Sequence, residues 1–128
     1  MFTQRSDPDR GLIRLVCEDD VTAADLSGHR RAAVLAARDL GRPFVVVTEL
    51  TDCAAISSTA AAVIAETVSQ LVPFGLAGEL RLVGERTPDS VLAAFAAHQS
   101  AFDVDVVTLS SQEALDTELD ARLNRTGC

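Results

Sequence analysis

The residues of most chemical interest form one short run, Ser57-Ser58-Thr59, which follows an apolar stretch and precedes an alanine-rich one. Serine is a preferred helix cap because its hydroxyl oxygen accepts from an amide that the first turn leaves unpaired. That role suits Ser57. Ser58, one residue on, points away from the stripe centred on Ile64 and toward solvent. A phosphate or another anion there would sit at the positive end of the helix dipole, among converging amide donors. The remaining reactive types assemble into nothing comparable. Ser, His and Asp lack the Gly-x-Ser-x-Gly elbow of a hydrolase. His29 and His98 are far apart and read as surface or boundary residues. Cys17, Cys53 and Cys128 are odd in number and show no CxxC spacing, which argues against a disulfide framework and against zinc. Cys17 lies in an apolar run and reads as a small buried hydrophobe. Glu18-Asp19-Asp20 is an acidic cluster at a strand end, and Asp103 and Asp105 read as solvated edges rather than a dyad. Gly75, Gly78 and Gly84 make no dinucleotide fingerprint. The expectation is a protein that is not an enzyme, with no cofactor and no metal.

Charge narrows the partners. The 128 residues carry 11 basic and 19 acidic side chains, for a net charge of −8. Such a surface repels phosphate backbones and anionic lipids, so neither nucleic acid nor a membrane is expected as partner. Every basic residue is arginine, which removes any lysine chemistry, whether Schiff base or phosphate-loop lysine. The amino-terminal MFTQRSDPDR has no apolar signal core, and no apolar run reaches the length of a membrane span. A cytoplasmic protein is the expectation.

The elements that must position Ser57 and Ser58 follow from pattern and punctuation. Phe2 to Arg5 reads as a short strand, and Ser6 to Gly11 as a turn closing a hairpin. Leu12 to Cys17 is a strand with Ile13, Leu15 and Cys17 on one face and Leu12, Arg14 and Val16 on the other. Thr22 with Asp25 makes a capping box, heading a helix to about Leu40 whose inner face holds Leu26, Ala33, Ala37 and Leu40. Gly41 and Pro43 end it. PFVVVTEL, Pro43 to Leu50, is continuous and β-branched, the mark of a central strand covered on both faces. Asp52 to Ile56 reads as a connection. A helix follows over Ala60 to Val72 with Ile64, Val68 and Leu71 buried, stopped by Pro73 and Gly75.

Glu79 to Gly84 is a further strand. Thr87 reads as the cap of a third helix, with Pro88 at its first position and Asp89 in its first turn, and Val91, Leu92 and Phe95 inward. Val104 to Leu109 is the last strand. Ser110 with Glu113 reads as a second capping box, and Leu115, Leu119 and Leu123 continue that helix. Residues 1–123 make one domain, and Asn124 to Cys128 should fray. The order β-β-α-β-α-β-α-β-α predicts an α/β fold with a mixed, mostly parallel sheet of about five strands and about four helices.

This order, with the serine pair opening the helix after the central strand, resembles the STAS domain, the sulfate-transporter and anti-sigma-factor-antagonist family. VVVTELTDCAAISSTAAAV is similar to the family's strand, Asp-Leu-Ser-Gly, connection, Asp-Ser-Ser-Gly and helix. Leu50 sets the register, with Glu49 in place of the family's aspartate. Ser57-Ser58-Thr59-Ala60 stands where Asp-Ser-Ser-Gly would be, and Ser58 falls on the phosphoacceptor serine. RLVG, PDSVLAAF and VVTLSSQEAL resemble the later strand, helix and closing strand-helix, so the likeness runs from about Gly11 to Leu119. The family's aspartate is Ser57 here and its glycine is Ala60, so a kinase that reads that aspartate would meet a serine.

What the resemblance implies is a regulatory, protein-interacting domain, of the kind found in bacterial anti-sigma-factor antagonists. Its partner would be a switch kinase or anti-sigma factor, with a homodimer as a further option. Ser57, Thr59, Glu49 and Asp52 would flank Ser58 on the docking surface. The STAS/SEC14-like small bacterial proteins imply an alternative, a small-molecule or lipid-binding domain with a pocket between helices and sheet. An internal apolar cavity would favour that alternative. A closed core with an exposed rim near Ser58 would favour the first.

Overall fold

The computed structural model describes residues 1–40, 43–99 and 104–126. Among them, strands β1 (Phe2–Asp7), β2 (Leu12–Val21), β3 (Phe44–Ile56), β4 (Leu76–Leu82) and β5 (Val106–Leu109) form one sheet in the order β1-β2-β3-β4-β5. β1 is antiparallel to β2, and every later pairing is parallel. The helices are α1 (His29–Leu40), α2 (Ser58–Ser69), α3 (Asp89–Gln99) and α4 (Gln112–Thr126).

That strand order dictates the layers. Each parallel step moves one strand in the same direction, and right-handed crossovers then put α1, α2 and α3 on the same face. The packing agrees. Ala33, Ala37, Ile64, Val68, Val91 and Phe95 share one core with Ile13, Leu15, Cys17, Phe44 and Val46. On the opposite face, among the described residues, α4 alone covers the sheet, with Leu115 and Leu119 against Leu12, Val45, Val47, Leu80 and Leu82. Phe44 to Val47 is fully buried at the sheet centre, as a continuous apolar strand must be to bury both of its faces.

Several local expectations are corrected. Asp52–Ile56 is not a connection: β3 continues through it, paired with a β2 that itself runs on to Val21. The Thr22–Asp25 capping box forms, with the Asp25 carboxylate accepting from the Thr22 amide at 2.8 Å, but it heads a 3-10 turn over Ala23–Leu26. α1 starts only at His29, after Gly28 takes a left-handed φ of +80°. α2 opens at Ser58 and ends at Ser69, so Leu71 is buried just beyond the helix. β4 begins at Leu76 rather than Glu79 and ends at Leu82, and β5 begins at Val106 rather than Val104.

Thr87 pins a loop instead of capping α3. Its Oγ1 accepts from the Gly84 amide and donates to the Leu50 carbonyl, both at 2.9 Å. Leu92 is exposed rather than inward, unlike Val91 and Phe95. Ser111, not Ser110, caps α4: its Oγ accepts from the Ala114 amide at 3.1 Å. α4 runs on to Thr126, past the Asn124 where fraying was expected, while Gly127 and Cys128, like Gly41 and Asp103, lie outside the described residues.

One glycine is required where α4 meets the sheet. Gly78 has a φ of +142°, and a methyl group there would run into the Arg122 guanidinium. That guanidinium donates to the Ala77 carbonyl at 3.0 Å and to the Asp105 carboxylate at 2.8 Å, tying the helix to the β4–β5 edge.

Candidate functional site at the start of the second helix

β3 delivers the chain to the carboxyl edge of the sheet, where the Ser57 amide donates to the Val21 carbonyl at 3.0 Å. This bond fixes the entry of α2 against the end of β2. Ser57 is extended (φ −70°, ψ 150°), and its Oγ accepts from the Ala60 amide at 3.1 Å. It is therefore the N-cap, as its residue type and position predict. Ser58 and Thr59 are the first two residues of the helix, and all three side chains are exposed. The inward positions that follow, Ala60, Ala61, Ile64, Ala65 and Val68, are buried. The helix is thus anchored by its apolar face and holds its hydroxyls in solvent. Amides of the first helical turn have no acceptor within the helix, and the dipole adds a partial positive charge there. The place suits an anion or a phosphoryl group on Ser58.

The expected flanking set divides. Ser57 and Thr59 stand beside Ser58. Glu49 and Asp52 line a cleft together with Arg14, and Glu49 is ion-paired to Arg14 across β2 and β3. Strand alternation places Glu49 with Val45 and Val47, on the face that α4 covers in part, whereas α2 packs on the other. Distant in sequence but nearer along the strand pair are Asp19 and Asp20, whose positions pair with Cys53 and Ala55, just before Ser57. Asp19 takes a left-handed φ of 54° beside an irregularity in the β2–β3 register. Ala54 and Ala55 are exposed just before the cap. The surface around Ser58 therefore mixes hydroxyls, small apolar side chains and carboxylates.

Two histidine and cysteine expectations resolve differently. His29 is not a surface residue. It is 4 % exposed at the start of α1, its Nδ1 lies 2.8 Å from the Gln4 Oε1, and its ring meets the Phe2 ring edge-on at 4.8 Å. Burial pushes its pKa down to about 4. Cys17 is buried as expected, and burial pushes its thiol up to about 12; Cys53 is likewise raised by burial. Both thiols are therefore held in the unreactive protonated form. Among the described residues no three His, Cys, Asp or Glu side chains converge as metal ligands.

Sequence reasoning missed a buried polar group. Glu79 and Arg81 alternate on β4 and face the three-helix layer, 2 % and 5 % exposed. Glu79 accepts from the Thr48 hydroxyl at 2.8 Å and from Arg81 Nε at 3.1 Å, and the Arg81 guanidinium lies over the Phe95 ring at 5.0 Å. The signal was available: oppositely charged residues two apart in a strand share a face, and in a strand covered on both sides that face is buried. The space beside this pair, lined by Ala65, Val68, His98 and Val104 among others, is only about 10 Å³. That is less than a lipid chain or small ligand needs.

Two solved structures share this architecture. The anti-sigma factor antagonist SpoIIAA in its unphosphorylated form matches with a TM-score of 0.59 at 10% identity, covering 92% of this chain and 97% of that one. The Bacillus cell fate determinant SpoIIAA in the phosphorylated form matches with a TM-score of 0.59 at 11% identity, covering 92% of this chain and 99% of that one. The fold is that of the STAS domain. At such identities the likeness is one of fold, and function must be argued from the site. No family model matches the sequence, and no curated protein matches it significantly. Among the described residues no helix is long and apolar enough to cross a membrane.

Proposed function

We propose that this STAS-like chain is a non-enzymatic regulatory domain that docks a partner protein through the start of α2, with Ser58 as its phosphoacceptor switch. The observation that carries the reading is the division of labour between two adjacent serines. Ser57 is occupied as the cap, and Ser58 is exposed beside it at the positive end of the helix. The fold likeness adds support, because the similar protein is by its description an anti-sigma factor antagonist known in unphosphorylated and phosphorylated forms. The partner would be a switch kinase or an anti-sigma factor. The small space found among the described residues between helices and sheet, beside Glu79 and Arg81, weighs against the small-molecule or lipid-binding alternative with a pocket there.

A phosphate on Ser58 adds nearly two negative charges where the helix dipole and free amides favour them. The fold should tolerate it, while a docking surface that already holds Asp19 and Asp20 becomes more strongly repulsive to an acidic partner. The test compares wild type, Ser58→Asp and Ser57→Ala by affinity capture from native lysate, with phosphosite mass spectrometry on native protein. Ser58→Asp should melt like wild type and lose a captured partner. Ser57→Ala should keep that partner and lose about 1 kcal/mol of stability with the cap. Identical capture by Ser58→Asp and wild type, with no phosphate on Ser58, would overturn the reading.

A further inference from the structure

Three helices close one face of the sheet, but α4 closes only part of the other. Its leucines reach β3, β4 and the start of β2, and among the described residues no helix core packs on the same face of β1 and the rest of β2. Same-face residues on neighbouring strands form rows, about 6.7 Å apart along the strands. In one row Arg5 lies directly opposite Arg14. In the next, Thr3 and Glu49 flank Val16. Beyond them Glu18 lies opposite Asp52. These residues line an open cleft of about 330 Å³, within the size range of small-ligand sites.

The charges in this cleft are ordered. Two guanidinium groups directly opposite each other across a strand pair are unfavourable unless an anion lies between or beside them. Glu49 supplies one to Arg14, and among the described residues Arg5 has no ion-pair partner. The far end holds two carboxylates side by side, with Glu18 half-buried. Two guanidinium groups against three carboxylates leave the lining with one negative charge overall. Arginine pairs with carboxylates in a planar, two-pronged geometry, and the three lining carboxylates disfavour a more highly charged phosphate, so the Arg5–Arg14 end suits a carboxylate.

We propose that this cleft binds a small zwitterion with a carboxylate head and a cationic tail, the chemical class of the basic amino acids and of peptides that end in one. The carboxylate lies between Arg5 and Arg14, the tail points to Glu18 and Asp52, and in a free amino acid the α-ammonium faces Glu49. This site does not involve Ser58, and the inference stands apart from the proposed switch.

Isothermal titration with L-arginine, L-citrulline, agmatine and N-acetyl-L-arginine tests it. Citrulline keeps the head and loses the tail charge; agmatine keeps the tail and loses the carboxylate. L-Arginine or its N-acetyl form should bind, with citrulline and agmatine each weaker by about tenfold or more, about 1.4 kcal/mol. A tighter N-acetyl form identifies a peptide end as the source, and a tighter free amino acid identifies the metabolite. Arg5→Gln is exposed on the edge strand and should melt like wild type while losing the binding by about tenfold. Glu18→Gln combined with Asp52→Asn should erase the preference for arginine over citrulline. Absence of binding at about 1 mM ligand, equal binding of all four compounds, or unchanged binding by Arg5→Gln would overturn the proposal.

Discussion

Lowering the pH from 7 to 5 should destabilise this protein by about 2 kcal/mol through His29 alone. The native ring is neutral: Nδ1 donates to the Gln4 Oε1, and Nε2 is buried with no hydrogen-bond partner among the described residues. Protonation would place a second donor, and a charge, at a buried atom that no described residue accepts from. Burial therefore holds the folded pKa near 4, against 6.5 in the unfolded chain. Between those values the unfolded state binds the extra proton, so stability is full above the unfolded value and is lost as the pH falls toward the folded one. At pH 5 the unfolded ring is almost fully protonated and the folded ring almost fully neutral. A gap of about 1.5 units below the unfolded pKa, at about 1.4 kcal/mol per unit, gives the stated loss. Asp25, lowered chiefly by its bond from the Thr22 amide, and Asp116, lowered chiefly by Gln112, titrate below their ordinary 3.8 and stay outside this window.

The assay is urea denaturation at pH 7, 6 and 5 for wild type and His29→Gln. The substitution carries its own cost at every pH, but the difference between the two proteins should shrink by about 2 kcal/mol from pH 7 to pH 5. Nuclear magnetic resonance of the His29 ring should show no protonation above pH 5. Parallel stability curves for the two proteins, or a ring that titrates near 6.5, would refute the reasoning.

Two further expectations concern the core. Leu71→Ala should cost about 2–5 kcal/mol, because Leu71 is 1 % exposed where the chain leaves α2; a denaturant melt that overlays the wild type would be the contrary result. Glu79→Ala removes the carboxylate paired with the buried Arg81 and should cost about 3–5 kcal/mol, while Glu79→Met combined with Arg81→Met should recover much of it; equal losses in the single and double variants would contradict this.

Much of the architecture was legible because its strongest signals are local. The apolar run Phe44 to Val47 has to be a doubly covered strand, and it sits at the sheet centre. Ser57 behaves as the cap its type predicts, since the preference comes from one hydroxyl and one nearby amide. The misread segments are those where local preference is weak or divided. Asp52–Ile56 has no alternation and no β-branched residue before Ile56, so its strand character comes from pairing with the extended β2. Ser110 and Ser111 are equally good caps by type, and only the register of α4 on the sheet selects the second. Thr87 has the right spacing for a cap, yet the Leu50 carbonyl and Gly84 amide compete for its hydroxyl and hold it.

The sequence by itself determined the alternation of strands and helices and the exposed serine next to a helix cap. Those properties depend on hydrophobic period and capping chemistry over a few residues. Only the tertiary structure decided which side chains meet across the sheet. It buried His29 against Phe2 and Gln4, sealed Glu79 and Arg81 beneath α3, and separated Glu49 and Asp52 from the hydroxyls of α2 while grouping them with Arg14. These contacts join residues distant in sequence, through strand order and register. A shift of one residue in register would send each of those side chains to the opposite face.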